Sequence, residues 1–175
     1  MSIGQRLGAL VIAMFAVVFR HAPRLVRRLN PMLSRLLRTR LPLGPNVLLT
    51  VRGRSSGLAR SVPVAMLDAG DRCFLQAAGD EVAWVRNLRA AGEVTITSRG
   101  RAETLAAAPL APEDAGRVIH EQLERFPRSR LVSSVVGPVD RPPLGVLHYF
   151  RVRVDDTLED CIATARRQPL FELRR

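Results

Sequence analysis

The residues best suited to chemistry lie in one short stretch, Leu48–Val64, which reads LLTVRGRSSGLARSVPV. It carries three arginines and three serines around two glycines: Arg52, Arg54, Arg60, Ser55, Ser56 and Ser61. Arginine forks and the backbone amides of a glycine-containing turn bind phosphate or carboxylate, because charge-assisted and often bidentate hydrogen bonds form there. The stretch therefore predicts a site for a phosphorylated or acidic ligand.

A β-hairpin is the element that would position these groups. β-forming residues fill 48–52 and 59–66, and a short loop with Gly53 and Gly57 joins the two runs. Alternation places Val47, Leu49 and Val51 in a core and leaves Leu48, Thr50 and Arg52 on the other face, so the arginines should cluster near one end. Pro63 cannot donate to a β-ladder and predicts an edge, a bulge or an open face. The alternative is an ordinary surface hairpin with solvated arginines.

Two motifs resemble a known family, the deazaflavin (F420)-dependent nitroreductase-like oxidoreductases, which are small split β-barrels. The first is TVRGRSSGLARSVP at 50–63 and the second is WVRNLRAAGEVTI at 84–96. With the spacing of the strands, the resemblance covers roughly residues 30 to 155. It implies an α+β fold, a split β-barrel of about six mostly antiparallel strands with flanking helices and an N-terminal helical extension.

The resemblance also implies a cofactor site. Arg54, Ser55, Arg60 and Ser61 would hold the phosphate and acidic tail of coenzyme F420, and Ser56 and Pro63 of the same hairpin are also expected to bind the cofactor. Backbone of Ala77, Ala78 and Gly79 would approach the coenzyme ring, with Trp84 as a wall of the ring pocket. Asn87 matches an asparagine of the family and is expected to be structural. By residue type alone, Trp84 is more often a core aromatic than a ligand contact.

Two departures from the family pattern bear on the ligands. The segment before Trp84 is short and holds two acids, Asp80 and Glu81, where the family usually has a longer segment with a basic residue. This weakens the expected affinity for the coenzyme. Where nitroreducing members carry tyrosines, this chain has Phe126, Ser129 and Val132, which favours an apolar acceptor over a nitroimidazole.

The function that the resemblance implies is hydride transfer from a reduced deazaflavin to a quinone, enone or lipid-like acceptor, with Tyr149 as a candidate proton donor. A second hypothesis is a non-catalytic split-barrel binder of a fatty acid, haem or flavin at a membrane surface. A third is an anchored interaction module with no small ligand. The cofactor alternatives to F420 are FMN, haem or none.

Composition limits the partners. The 175 residues suit one domain, and the net charge of +11 comes from residues 1–67, which contain eleven arginines and no acid. This charge fits an anionic ligand or an anionic membrane. Nucleic acid is disfavoured, because no recognition motif is evident and aromatic residues are few. The two cysteines and three histidines form no metal-type cluster, so no metal site is predicted and a reducing cytoplasm is expected.

An uncharged run, 7–19, lies near the N-terminus between arginines. As a helix it would be roughly 20 Å long, shorter than the ~30 Å hydrocarbon layer of a bilayer. It either lies on the inner face of the cytoplasmic membrane with its arginines on anionic head groups, or packs on the barrel or on a second subunit of a homodimer.

The remaining pattern predicts three segments: a basic, apolar helical segment 1–42, the barrel 43–155 and a C-terminal helix and tail 156–175. A second helix after Pro23 should restart at Asn30 and Pro31. Asp80 should cap a third helix that ends at Gly92, and Thr157 should open the C-terminal helix with a capping box. Besides the hairpin, strands are predicted over 72–78, 93–98, 101–110 and 145–154.

Overall fold

The computed structural model describes residues 23–40, 46–77, 79–125, 152–153 and 156–175. These residues form four helices and six strands. In chain order the elements are α1 (Pro23–Leu37), β1 (Asn46–Arg52), β2 (Ala59–Asp68), β3 (Cys73–Gln76), α2 (Ala83–Ala91), β4 (Glu93–Ser98), β5 (Arg101–Pro109), α3 (Pro112–Arg125), α4 (Leu158–Arg167) and β6 (Leu170–Arg174). The predicted α+β class is confirmed.

The six strands close into an antiparallel barrel in the order β1-β2-β3-β6-β5-β4. The alternation predicted for β1 is confirmed, since Val47, Leu49 and Val51 are 2%, 0% and 3% exposed in the interior core. Helix α2 adds Trp84 and Leu88 to the same core. The barrel is therefore filled by side chains from its own strands and from one helix.

Strand β6 is a barrel strand that the sequence analysis did not predict. It lies between β3 and β5, with Leu75 opposite Phe171 and Ala107 opposite Leu173. The segment 156–175 thus supplies the closing strand of the barrel as well as the predicted helix. The strand predicted over 145–154 lies almost entirely outside the described residues.

The ends of the helices test the capping predictions. Thr157 and Asp160 form the predicted capping box: the Asp160 N–H donates to the Thr157 hydroxyl at 3.2 Å, and the Thr157 N–H donates to the Asp160 carboxylate at 3.0 Å. Gly92 ends α2 as predicted, with φ at 71°. The prediction for Asp80 is wrong, because Val82 is the N-cap and the Asp80 carboxylate accepts from Arg89 at 2.6 Å instead.

Helix α1 corrects a second prediction. It continues through Pro31, although a restart at Asn30 was expected. A proline inside a helix removes one hydrogen bond, but Leu33 and Leu37 on the following turns are buried against Leu48 of β1. This apolar contact holds the helix against the outer face of the hairpin. None of the described helices is long and apolar enough to span a bilayer.

Helices α3 and α4 cover the outer face of β3 and β6. The predicted inner face of α3 is confirmed for Ala115, Val118, Ile119 and Leu123, which pack with Phe74, Cys161, Ala165 and Leu170 in a second core; Phe126 lies outside the described residues. The helices are closest at Gly116, where an added Cβ would lie 2.4 Å from Ile162 Cγ1. Glycine is therefore required at this crossing.

Candidate functional site

The tip of the β1–β2 hairpin, residues 53–61, begins with a turn at 53–58 that depends on both of its glycines. The Gly53 N–H donates to the Leu58 carbonyl at 2.9 Å, and the Gly57 N–H donates to the Gly53 carbonyl at 2.8 Å. Gly57 has φ at 67°, in the left-handed region. At Gly53 an added Cβ would lie 2.9 Å from Ser56 Oγ and 3.2 Å from the Leu58 carbonyl. The glycines thus allow the compact turn that presents the polar residues.

The strand register distributes the arginines over two faces. Arg60 lies opposite Val51 and so belongs to the face that lines the barrel interior, at its exposed end. Arg52 lies opposite Ala59 on the outer face, where its Nε donates to the Gly57 carbonyl at 3.2 Å. The predicted clustering at one end of the hairpin and the predicted outer face of Arg52 are confirmed, and the register adds that Arg60 lies on the opposite face.

Arg54 is held in place by a buried asparagine of α2. Its backbone N–H and its Nη1 both donate to Asn87 Oδ1, each at 3.3 Å. Asn87 is only 8% exposed. The structural role expected for Asn87 is therefore confirmed as an anchor that joins the hairpin tip to α2.

The tip is positively charged and its charges are not compensated. Arg54, Arg60, Ser55, Ser56 and Ser61 are exposed. Within the described residues no ion pair joins Arg54 or Arg60 to a carboxylate. The Ser61 hydroxyl lies on the outer face, 2.8 Å from the hydroxyl of Thr50. Pro63 lies opposite Leu48 of β1, and among the described residues that part of β2 pairs with no other strand, which agrees with the predicted edge, bulge or open face.

The residues expected near the coenzyme ring follow β3. Ala77 is fully buried and its N–H donates to the Pro169 carbonyl at 3.0 Å, while Gly79 is buried beside Glu81. Ala78 lies outside the described residues. Trp84 is 8% exposed and its ring centroid is 6.1 Å from that of Phe171. The indole thus packs as a core aromatic, and only a small part of it is open to a ligand.

A cavity of about 310 Å³ lies on the outer side of the hairpin, between β1 and β4. It contains none of the predicted cofactor residues. Its lining consists of Thr50, Val51, Arg52, Gly57, Ala59, Ala91, Glu93, Val94, Thr95 and Thr104. Sequence reasoning missed it, because only the pairing of β1 with β4 brings Thr50 next to Thr95.

Other reactive groups contribute little. Burial raises the pKa of the Cys161 thiol to about 11 and also raises that of Cys73, so neither is a ready nucleophile at neutral pH. Among the described residues no cluster of histidine, cysteine, aspartate and glutamate could hold a metal ion. Tyr149, the candidate proton donor, lies outside them.

The fold is a closed antiparallel barrel with an exposed, arginine-rich hairpin. Residues 19–133 match the family described as F420H(2)-dependent quinone reductase, and the chain belongs to that family. It is therefore an F420-dependent oxidoreductase, and F420 is its cofactor. The enzyme hypothesis is confirmed over the non-catalytic binder.

Solved structures give more distant similarities. An F420-H2 dependent reductase, FDR-A, shows 19% identity with a TM-score of 0.45, covering 74% of this chain and 94% of its own. An F420 reductase shows 12% identity with a TM-score of 0.39, covering 81% and 90% of the two chains. No curated protein matches the sequence.

The donors at the hairpin tip fit the anionic part of the coenzyme. The tip exposes two guanidinium groups, of Arg54 and Arg60, and two serine hydroxyls, of Ser55 and Ser56, beside the backbone amides of the turn. Among the described residues no carboxylate forms an ion pair with either guanidinium group. Such a set binds a phosphate or carboxylate through charge-assisted hydrogen bonds. The fit is weaker for the ring, since Trp84 is mostly buried.

Proposed function

We propose that the hairpin tip binds the anionic part of reduced F420 and that the hydride passes to a quinone, enone or lipid-like acceptor. The observation that carries this proposal is the pair of exposed arginines, Arg54 and Arg60, which lack a carboxylate partner within the described residues. Asn87 fixes Arg54 before the ligand arrives, so less conformational entropy is lost on binding.

The two faces of the hairpin suggest which residues contact the charged part of the coenzyme and which lie near its ring. Arg54 and Arg60, with Ser55 and Ser56, would grip its charged part, while Ser61 and Pro63 shape the strand behind them. Backbone of residues 77–79, at the end of β3, would lie beside the ring, and Trp84 would support it from the core. The bound coenzyme supplies the hydride, and the protein supplies charge, orientation and exclusion of water.

The acceptor class follows from the family description and from three residues. The family is described as a quinone reductase, and Phe126, Ser129 and Val132 favour an apolar acceptor. Tyr149 would donate the proton that the reduced acceptor takes up. Turnover of menadione by the reduced coenzyme, with a loss of rate on Tyr149→Phe, tests both assignments.

The binding site is tested by Arg60→Ala. Loss of a charge-assisted hydrogen bond should weaken coenzyme binding by roughly 1.5–3 kcal/mol, or about tenfold to a hundredfold. Fluorescence titration under anaerobic conditions measures the dissociation constant. The control is Arg101→Ala, which removes an exposed arginine at the start of β5. An unchanged dissociation constant in Arg60→Ala would show that Arg60 does not bind the coenzyme.

We further infer that the apolar run 7–19 brings the enzyme to the inner membrane face, where apolar acceptors dissolve. Deletion of residues 1–22 should then release the protein from liposomes of anionic lipid while coenzyme binding is retained. If the full chain does not bind liposomes and the deletion dissociates a dimer, the run packs on a second subunit instead.

A further inference from the structure

The outer cavity exists because two neighbouring strands separate at one end. Pairing between β1 and β4 covers Leu48–Thr50 and Thr95–Thr97 only. The β1–β2 ladder continues to Arg52 opposite Ala59, and the β4–β5 ladder continues to Glu93 opposite Ala106. Beyond Thr50 and Thr95 the strands β1 and β4 therefore do not pair with each other, and the cavity occupies the gap.

The gap presents backbone groups as well as side chains. In a strand, the N–H and C=O groups of alternate residues point to opposite edges. The Gly53 N–H bonds to Leu58 on the β2 side, so the backbone groups of Arg52 point toward β4. By the same parity those of Glu93 point toward β1, since Gly92 bonds to Ala107 of β5. No ladder bond joins Arg52 to Glu93.

The hydroxyl-bearing residues Thr50, Thr95 and Thr104 line the cavity and belong to a row of four such residues across the sheet. The register aligns Ser61, Thr50, Thr95 and Thr104 across four strands. The Thr50 and Ser61 hydroxyl oxygens are 2.8 Å apart and those of Thr95 and Thr104 are 2.9 Å apart. Each pair uses one O–H internally and keeps the other for a ligand, and its oxygens can also accept.

Two residues of opposite charge, Arg52 and Glu93, line the gap between β1 and β4. Arg52 is exposed on β1, with its Nε bonded to the Gly57 carbonyl. Glu93 is exposed at the start of β4 and forms no ion pair within the described part of the chain. The cavity therefore offers one anion-binding group, one carboxylate and a row of hydroxyls.

We propose that this cavity is a binding site for a small phosphorylated polyol of the sugar phosphate class. Arg52 and the backbone N–H at its edge bind the phosphate, because a guanidinium forms charge-assisted bonds with phosphate oxygens. Glu93 accepts hydrogen bonds from ligand hydroxyls. The threonine row suits a polyol, since both sides can donate and accept.

The lining excludes other classes of ligand. The described residues of the lining include no aromatic side chain on which a nucleobase could stack. Five of its ten lining residues carry a hydroxyl or a charge, so a wholly apolar quinone would leave these groups unsatisfied. A volume of about 310 Å³ lies at the small end of ligand sites, which run from roughly 300 to 1,000 Å³. A single phosphorylated sugar matches that size.

The test is calorimetric titration of the full chain, without coenzyme, with glucose 6-phosphate, glucose and inorganic phosphate. Glucose 6-phosphate should bind about tenfold or more tightly than either fragment, because it uses both the arginine and the hydroxyl row. Arg52→Gln and Thr95→Val should each weaken it by about tenfold. Arg101→Gln, an exposed arginine outside the cavity lining, should leave it unchanged.

Two results would overturn the proposal: glucose 6-phosphate that shows no saturable binding, or binding that Arg52→Gln and Thr95→Val leave intact. Melting temperatures of the variants confirm that they fold. A second titration, with F420 saturating, checks that the site is separate, and complete exclusion of glucose 6-phosphate would also overturn it. Arg60→Ala should alter coenzyme binding alone, so failure of one site is distinguishable from failure of the other.

Discussion

The hairpin tip and the seam around β6, which is formed by Glu172, Arg72 and Arg174, both contain arginines, but the charges of these arginines are compensated only at the seam. At the seam, the buried Glu172 carboxylate accepts hydrogen bonds from Arg72 at 2.7 Å and from Arg174. At the tip, Arg54 and Arg60 are exposed and have no carboxylate partner among the described residues. The comparison teaches that an arginine whose charge is compensated supports the fold, whereas an uncompensated one is available to a ligand.

Electrostatics explain why the seam accepts a buried carboxylate. Hydrogen bonds from Arg72 first, and then from Arg174, hold the pKa of Glu172 below its ordinary value. The Arg72 guanidinium also lies over the Phe74 ring, with its central carbon 4.9 Å from the ring centroid. Both arginines are thereby committed to holding β6 in the barrel.

The largest effect is expected at the helices that cover the seam. Gly116→Ala should lower the free energy of unfolding by roughly 2–3 kcal/mol, because the new Cβ would meet Ile162 backbone atoms at 2.8 and 2.9 Å. At an uncrowded helix position the same change is stabilising by up to about 1 kcal/mol. Urea denaturation measures the change, with Arg117→Ala on the exposed face as a control. A stabilised variant would contradict the close crossing.

The second largest effect on stability is expected from loss of the ion pairs of Glu172 with Arg72 and Arg174. Glu172→Gln should lower the free energy of unfolding by about 1–2 kcal/mol at pH 7, less than for a fully buried charged pair, because the side chains of Arg72 and Arg174 are 48% and 64% exposed. The dissociation constant for coenzyme should not change, since the tip is remote in the strand order. Equal effects on stability and coenzyme binding would break the distinction between the two regions.

The lowered pKa of Glu172 predicts that the stability of the protein depends on pH. Because the folded pKa of Glu172 is lowered, its contribution is complete above the unfolded pKa of roughly 4.3 and is lost as the pH falls through the folded value. The stability difference between the wild type and Glu172→Gln should therefore be constant from neutral pH to about pH 5 and shrink in stronger acid. Denaturation curves at several pH values measure it. A difference that grows on acidification would have the wrong sign.

The smallest effect is expected where the tip meets the core. Asn87→Ala removes the acceptor of two bonds from Arg54 and should weaken coenzyme binding by about 1 kcal/mol, or roughly fivefold. Asn87→Asp keeps the acceptor but adds a negative charge, and should weaken binding further by neutralising the tip. Fluorescence titration compares the two. Tighter binding in Asn87→Asp would show that anchoring outweighs charge at this position.

Local features of the fold could be predicted from sequence because their causes are local. Alternation identified Val47, Leu49 and Val51 as core, and the left-handed Gly92 marked the end of α2. The capping box at Thr157 needed only residues three apart. The predictions at Asp80 and Pro31 were wrong because tertiary contacts overrode the local signal. Asp80 pairs with Arg89 instead of capping α2, and the helix that contains Pro31 packs on Leu48.

The sequence by itself determined that a basic, glycine-containing hairpin would present arginines and serines to an anion, since those residue types and their spacing lie within one stretch of chain. Tertiary structure alone decided that Arg52 and Arg60 point to different faces, that β1 and β4 separate to form a cavity, and that β6 closes the barrel. The physical reason is that strand pairing joins residues far apart in the chain. Glu172 becomes acceptable in a buried strand only when it meets Arg72, 100 residues away.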